Sequence, residues 1–320
     1  GNEQRLIKVA GGATYAERIE IANWSFGTLE IRSEGDSPAV LKPAGPGPVV
    51  SISTSSRVKL QGLKLDASGK GVAIQLKGVL NGVQLMQIEA TGFQAVGVAG
   101  DHVAGFGSTR LELRDLRLNG GKAEAMGLRF EGPDATGLAS GMANIVIANL
   151  RCVGPLEAGV RLSGSLTQTT IQKCRFFNVK TGIQLDVSSS DVEGLVLENN
   201  TWHRAARGLV IEGTPARVKG LTVQKNLFAE MSGPEIVLAD EAVKVVSDGG
   251  QASFNWTDRD AQAVQSNKWD LFATRGKTAA GTIEFASVDP QDGNFLKPTS
   301  GDLRALQAPG GDKFIGAVAP

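Results

Sequence analysis

The sequence has few of the residues that build covalently stapled or metal-stapled folds. Its 320 residues include two cysteines and two histidines, which excludes a disulfide-rich scaffold and a zinc site built from cysteines. Aromatic residues make up only 5% of the chain. No apolar run reaches the roughly 18 residues of a membrane-spanning helix, so no membrane span is predicted.

The sequence also lacks an excess of either charge. It has 33 basic and 33 acidic residues, so its formal net charge is zero. Without a basic surface interleaved with aromatic residues, it is not expected to bind nucleic acid. No signal peptide is recognisable, but the chain starts with Gly1 rather than Met. That start suggests a tag remnant or an excised domain, so the missing signal does not indicate a compartment.

Glycine is abundant instead, with 41 residues, and it accompanies a repeat. Alternating triplets recur at intervals of 24 to 34 residues, beginning at Leu29, Val58, Val83, Leu111, Ile145, Thr169, Leu195 and Leu221. A second triplet, usually preceded by glycine, begins at Ile19, Val50, Ile74, Val96, Leu128, Val160, Ile183, Leu209 and Ile236. Alternation with period two predicts strands that have one buried and one exposed face.

Each repeat holds three short strands, which cannot bury themselves alone and must stack on the next copy. The sequence therefore predicts an all-β, single-stranded parallel β-helix, a solenoid with three sheets and about nine rungs over residues 1–250. The repeat is lost in residues 251–320, which are expected to form an irregular C-terminal cap packed on the helix. Within that cap, a short helix is expected over Asp258–Thr274 and a strand over Thr282–Phe285.

The stretch IKVAGGATYAERIEI, followed by LEIRSEG and VKLQGLKLD, resembles the right-handed parallel β-helix of the pectate-lyase-like superfamily, in particular its members with NosD-type repeats. The tail DPQDGNFLKPTSGDL resembles the closing segment of bacterial secreted β-helix proteins. The resemblance covers residues 5–250 and implies a right-handed helix, an extracytoplasmic location (secreted, periplasmic or cell-surface) and a polysaccharide partner. It does not decide the function, because this fold hosts many roles.

Outward positions of consecutive rungs stack in columns, and these columns are candidate sites. In the first sheet, one predicted column contains Gln75, Gly97, Arg129, Arg161, Gln184, Val210 and Val237. The next contains Lys77, Ala99, Glu131, Ser163, Asp186, Glu212 and Ala239. The candidate glycan-binding face is the middle of these two columns, formed by Arg129, Glu131, Arg161, Gln184, Asp186 and Glu212.

The resemblance implies that a related lyase would have its active cleft on this first sheet. There a base removes the proton α to a uronate carboxyl group, and calcium or another cation stabilises the charge that develops. Arginine is a poor base at neutral pH, and Asp186 with Glu212 offers one carboxylate pair where calcium takes roughly six to eight oxygens. No catalytic residue, metal site or cofactor is therefore predicted, and Ca²⁺ enters only if the protein is a lyase.

The third sheet carries a secondary candidate. Its outward column is predicted to contain Lys64, Glu89, Arg117, Arg151, Arg175 and Thr201. The three arginines Arg117, Arg151 and Arg175 stand on adjacent rungs and repel one another unless they meet anions, so they are suited to grip an acidic polysaccharide. The alternative is that loop carboxylates or solvent keep them apart.

Several other polar or reactive residues receive structural interpretations. Cys152 and Cys174 are predicted to point inward on neighbouring rungs, two residues apart in register, as small buried hydrophobes; a disulfide is the alternative. His102 and His203 are expected to be solvated. A turn column of Asp115, Asn149, Lys173 and Asn199, with Asn200 and Asn226 one place further on, indicates a partial asparagine ladder.

Three functions remain open from the sequence. The first is a non-catalytic extracytoplasmic module that binds or recognises polysaccharide. The second is a polysaccharide lyase, or another carbohydrate-active enzyme, acting on acidic glycans. The third is a structural or protein-interaction solenoid. The sequence does not indicate the oligomeric state.

Overall fold

The computed structural model describes residues 3–104, 109–132, 142–253, 255–258, 283–299 and 315–318. Its parallel strands stack as a β-solenoid of about nine turns, which confirms the predicted fold class. Each turn contributes strands to three faces, which we number in order along one repeat, with face 1 formed by the strands of the second triplet. Among the described residues, no helix has the length and apolar character needed to span a membrane.

Face 1 holds the strands that follow the glycines: Ile19–Ala22, Val50–Ser56, Val72–Asn81, Val96–Ala104, Met126–Glu131, the second halves of Arg151–Ser163 and Arg175–Asp186, Arg207–Glu212 and Ile236–Leu238. Face 2 holds Gln4–Ala10, Thr28–Glu34, Val58–Gln61, Gln84–Met86, Leu111–Arg114, Ile145–Ala148, Thr170–Gln172, Val196–Glu198, Leu221–Gln224 and Gly250–Ser253.

Face 3 holds Thr14–Tyr15, Ala39–Leu41, Leu63–Asp66, Glu89–Thr91, Arg117–Asn119, the first halves of Arg151–Ser163 and Arg175–Asp186, Thr201–His203, Leu227–Ala229 and Trp256–Thr257. The two long strands turn the corner from face 3 to face 1 through irregular register, as between Val153 and Leu156. A short fourth sheet in the turn between faces 1 and 2 consists of Met142–Ala143, Leu166–Thr167, Asp191–Glu193 and Arg217–Lys219.

The inward column of face 3 becomes aromatic along the axis, as the sequence predicts. Phe176 stacks on Trp202 with ring centroids 5.5 Å apart, and Trp202 stacks on Phe228 at 4.5 Å. Three glycines within face-1 strands, Gly159, Gly182 and Gly208, make room for these rings. A Cβ on Gly182 would lie 1.7 Å from the indole nitrogen of Trp202, so no larger residue fits there.

The asparagine ladder contains Asn200 and Asn226, as predicted, and continues to Asn255, which was not predicted. In each of the two contacts, the Oδ1 of the later asparagine accepts the backbone N–H of the earlier one. The Oδ1 of Asn200 accepts the backbone N–H of Cys174, which holds the same turn position one rung earlier. Both Cys174 and Cys152 are free and buried, as predicted. Burial raises the pKa of the Cys174 thiol to about 12.

One predicted register on face 1 is wrong. Ala99, and not Gly97, lies between Gln75 and Arg129, and the next column has Asp101 where Ala99 was expected. The shift occurs because an inward position is held by Gly100, whose Cβ would lie 2.4 Å from the ring of Phe130. The apolar triplet at Val96 predicts that Val96 and Val98 pair with the inward residues Ile74 and Leu76. In the structure Val98 and Gly100 hold those positions.

The last turn differs from the others because it contains a helix, Asp240–Gly249, where earlier turns have the fourth sheet. The strands Gly250–Ser253 and Trp256–Thr257 then continue faces 2 and 3. The expected helix lies outside the described residues, apart from Asp258, and so does Thr282. Phe285 forms an isolated antiparallel bridge with Pro298 and not a strand. The division at residue 250 stays a prediction.

We call residues 283–299 the strap, because they lie along the outside of face 3. Phe295 of the strap is fully buried and meets Phe177 edge to face at 5.6 Å. Phe285 meets the ring of His203 at 5.0 Å. Beyond the strap, Ile315 joins a separate apolar cluster with Ile283 on the end of face 3.

Candidate functional site

The structure brings together the six residues of the candidate glycan-binding face. Arg129, Arg161 and Gln184 lie in register on neighbouring strands of face 1. In the adjoining column, Glu131 is followed by Ser163, Asp186 and Glu212.

These six side chains satisfy one another. Arg129 Nε lies 3.3 Å from Glu131 Oε1, and Arg161 Nη2 lies 3.7 Å from Asp186 Oδ2. Gln184 Nε2 donates to Glu212 Oε2 at 2.9 Å. Exposed pairs of this kind contribute about 0–1 kcal/mol to stability. The face carries two arginines and three carboxylates, so it has no excess of positive charge to attract an acidic ligand.

The described part of the chain contains no group of three or more His, Cys, Asp and Glu side chains placed to hold a metal ion. His102 is exposed beside Asp101, with which its Nδ1 makes a close contact. It therefore fits its predicted role as a surface residue.

His203 is not solvated, in contrast to the prediction. Its side chain is buried between Phe177, whose ring centroid lies 5.4 Å away, and Phe285 of the strap. Burial lowers the pKa of His203, although Glu230 opposes that shift from 3.2 Å. The sequence missed this environment because the strap residues that cover His203 lie some eighty positions along the chain.

The secondary candidate consists of Arg117, Arg151 and Arg175, which we call the arginine column. The three lie in register on adjacent strands of face 3, as predicted. Arg117 is partly exposed, whereas Arg151 and Arg175 retain only 9% and 5% of their accessible surface. Among the described residues, none of the three arginines forms an ion pair with a carboxylate.

Arg117 is partly exposed to solvent, and the carboxylates of Asp115 and Asp292 act on Arg151 from a distance. The direct partners of Arg151 and Arg175 are not carboxylates. Arg151 Nη1 donates to the backbone carbonyls of Pro290 and Asp292 at 3.2 and 3.3 Å. Arg175 donates to the carbonyl of Phe295 at 3.0 Å and to Asn149 Oδ1 at 2.7 Å. The strap thus replaces water around the two guanidinium groups with carbonyl dipoles.

Burial is also the main cause of the pKa shifts in the column. It lowers the pKa of Arg175 to about 10, and the charge of Arg151 lowers it further. The pKa of Arg151 is lowered by burial and then by Arg117. Both groups remain cationic at neutral pH. The carboxylate of Asp115 attracts both arginines and that of Asp292 attracts Arg151, but neither carboxylate lies within ion-pairing distance of them.

A groove of about 410 Å³ opens beside this column. Its floor follows one turn position through five successive rungs, at Pro38, Gly62, Gln87, Asp115 and Asn149. Its wall follows the outward residues Glu89, Arg117 and Arg151. Five rungs span four spacings of about 4.8 Å, so the groove runs roughly 19 Å along the axis.

The polar groups of the groove divide into paired and unpaired charges. Glu89 lies 3.3 Å from Lys64, and Asp115 accepts a hydrogen bond from Asn149 Nδ2. Arg117 and Arg151 have no such carboxylate partner among the described residues. Asp115 lies on the same rung as Arg117, so this end of the groove carries two positive charges and one negative charge. The amide and carboxylate groups that line the groove are suited to bind hydroxyls.

The comparisons add no relative. No family model matches the chain, and no curated protein matches it either.

Proposed function

We propose that this protein is a non-catalytic, extracytoplasmic module that binds acidic polysaccharide in the groove of face 3. The observation that carries the proposal is the pair Arg117 and Arg151, which lie on adjacent rungs of an elongated groove without an ion-pair partner among the described residues. Guanidinium groups bind carboxylates with two parallel hydrogen bonds, which favours uronate units over neutral sugars.

The shape of the groove supports a linear ligand. Because its floor repeats the same turn position in five rungs, it is elongated along the axis. Polar side chains occupy this position in the last three rungs, at Gln87, Asp115 and Asn149. None of the described residues that line it is aromatic. Binding would therefore depend on charge and hydrogen bonds and weaken as salt rises. The resemblance to the pectate-lyase-like superfamily adds support, because that resemblance implies a polysaccharide partner and an extracytoplasmic location.

The test is calorimetric titration with acidic oligosaccharides, oligogalacturonate and oligoalginate, and with a neutral malto-oligosaccharide. The acidic ligands are expected to bind and the neutral one is not. Arg117→Ala removes charge-assisted hydrogen bonds, which corresponds to roughly a tenfold to hundredfold loss of affinity.

The matched control is Arg129→Ala, which truncates a similarly exposed arginine on face 1. It should bind as the unmodified protein does. Weaker binding in Arg129→Ala than in Arg117→Ala would place the ligand on face 1 and overturn the assignment of the groove. Ultraviolet absorbance from an unsaturated uronate product, measured in the same mixtures with and without calcium, would show a lyase instead.

A further inference from the structure

We infer that the groove binds the end of an acidic chain and not its interior. This inference rests on the proposed function. The observation behind it is that the strap closes one end of the groove, at the rung where the arginine column goes from exposed to buried.

The closed end can be located by comparing equivalent positions on consecutive rungs. The groove runs along its floor as far as Asn149 and along its wall as far as Arg151. On the next rung, the equivalent of Arg151 is Arg175, whose guanidinium lies under Phe295 and donates to that residue's carbonyl. A ligand lying along the groove therefore cannot continue past Arg151 without displacing the strap.

The strap is well packed where it closes the groove. Phe295 is fully buried, contacts Phe177 at 5.6 Å and lies with its ring centroid 5.9 Å from the guanidinium carbon of Arg151. Pro290 and Gln291 line a small cleft that continues from the groove beside Arg117 and Arg151. Displacing the strap would expose the buried ring and leave two guanidinium groups without their carbonyl acceptors, so the wall is expected to stay in place.

The charges lie where a chain end would need them. Arg117 and Arg151 stand at the closed end beside one carboxylate, Asp115, which leaves that end with a net positive charge. On the preceding rung, the nearest wall position is Glu89, which is paired with Lys64. An anionic group on the terminal sugar would meet both arginines at once. The rest of the chain would extend along the roughly 19 Å of floor provided by the earlier rungs.

The experiment compares ligands of different length. Galacturonate oligomers of increasing length are titrated first, and the gain in affinity is expected to stop once the ligand fills the groove. Sized polygalacturonate fractions are then titrated at constant uronate concentration. If chain ends are bound, the number of protein molecules per polymer chain stays constant as the chain lengthens. If interior segments are bound, that number rises with length.

A substitution at the wall gives an independent measurement. Gln291→Trp adds bulk to an exposed residue of the strap next to Arg117 and Arg151. It is expected to weaken oligomer binding by about tenfold or more. Its matched control is Gln251→Trp, an equally exposed position on face 2, which should leave binding unchanged. Circular dichroism checks that both variants are folded.

The two possible failures can be told apart. If no acidic oligosaccharide binds at any length, the proposed function is wrong and this inference falls with it. If acidic chains bind through Arg117 but the number of bound molecules rises with polymer length, or if Gln291→Trp binds normally, only the recognition of chain ends is overturned.

Discussion

The asparagine ladder allows a stability prediction with a magnitude worked from its contacts. The Nδ2 of Asn226 donates to the carbonyl of Leu197 at 2.9 Å and to Asn255 Oδ1 at 3.0 Å. Its Oδ1 accepts the backbone N–H of Asn200 at 3.0 Å and the side-chain Nδ2 of the same residue at 3.1 Å. All three asparagines are buried, so Asn226→Ala removes four hydrogen bonds that water cannot readily replace.

The cost follows from these groups. The backbone N–H of Asn200 loses its acceptor, and an unsatisfied buried donor costs about 1–3 kcal/mol. The other three hydrogen bonds contribute about 0.5–1.5 kcal/mol each. Because the neighbouring groups relax and retain some of their other partners, we expect Asn226→Ala to lower the free energy of unfolding by about 3–5 kcal/mol.

The measurement is urea unfolding followed by far-ultraviolet circular dichroism. Asn119→Ala is the matched control, because it makes the same chemical change at an exposed position of face 3 and should alter the free energy of unfolding by less than about 0.5 kcal/mol. If Asn226→Ala lost less than about 1 kcal/mol, the ladder would not stabilise the turns by hydrogen bonding, and the reasoning from buried donors would be refuted.

Three further predictions concern groups in the interior. Burial lowers the pKa of His203, so the unfolded chain binds the proton more readily; stability should be complete above the ordinary histidine pKa of about 6.5 and fall as the pH drops below it. His203→Gln should reduce that slope in pH-dependent unfolding, and an unchanged slope would assign it to other groups. Gly182→Ala should cost about 3 kcal/mol or more in thermal or urea unfolding, because its Cβ would clash with the indole of the next rung. Gly71→Ala meets no atom within 4 Å and should be neutral, so equal losses in the two variants would contradict the clash. The thiols of Cys152 and Cys174, which are buried and have raised pKa values, should not react with a thiol reagent in the native protein but should both react in denaturant; labelling of the native protein would contradict their burial.

Much of this fold could be predicted because residues one repeat apart in the sequence of a solenoid lie next to each other on adjacent rungs. Each rung pairs with the next, so the register of Arg117 with Arg151, and of Arg151 with Arg175, follows from the repeat alone. Apolar alternation does not predict the register where a glycine occupies an inward position. Gly100 breaks the apolar alternation on face 1 because the space of its missing side chain is filled by Phe130.

The strap could not be predicted from the repeat, because it contacts face 3 without belonging to any rung. The bond from Arg175 to the carbonyl of Phe295 joins residues 120 positions apart. Its acceptor is a backbone group that every residue carries, so the sequence of the tail holds no polar pattern that marks this contact. The strap also covers His203 through Phe285 and closes the groove at Arg151. Neither effect could therefore be predicted from the repeat.

A different sequence signal distinguishes the two faces that carry arginines. It is the type of residue that stands two places after each arginine in its strand. On face 1, Arg129 is followed at that distance by Glu131, and the column that contains Glu131 also supplies Asp186, the partner of Arg161. On face 3, the residues two places after the arginines are Asn119, Val153 and Phe177, so the column on that side offers them no acid. Of the residues two places before them, at 115, 149 and 173, only Asp115 is acidic.

Outward side chains at positions i and i+2 of a strand lie in adjoining columns on the same side of the sheet. A column of like charges beside an acidic column is therefore neutralised within the face. The same charges beside amide and apolar residues must find a partner elsewhere, either in the backbone carbonyls of another segment or in a ligand. In this protein the strap supplies carbonyls to Arg151 and Arg175, and Arg117, which none of those carbonyls reaches, faces the groove. For this reason we propose face 3, and not face 1, as the surface that binds an acidic ligand.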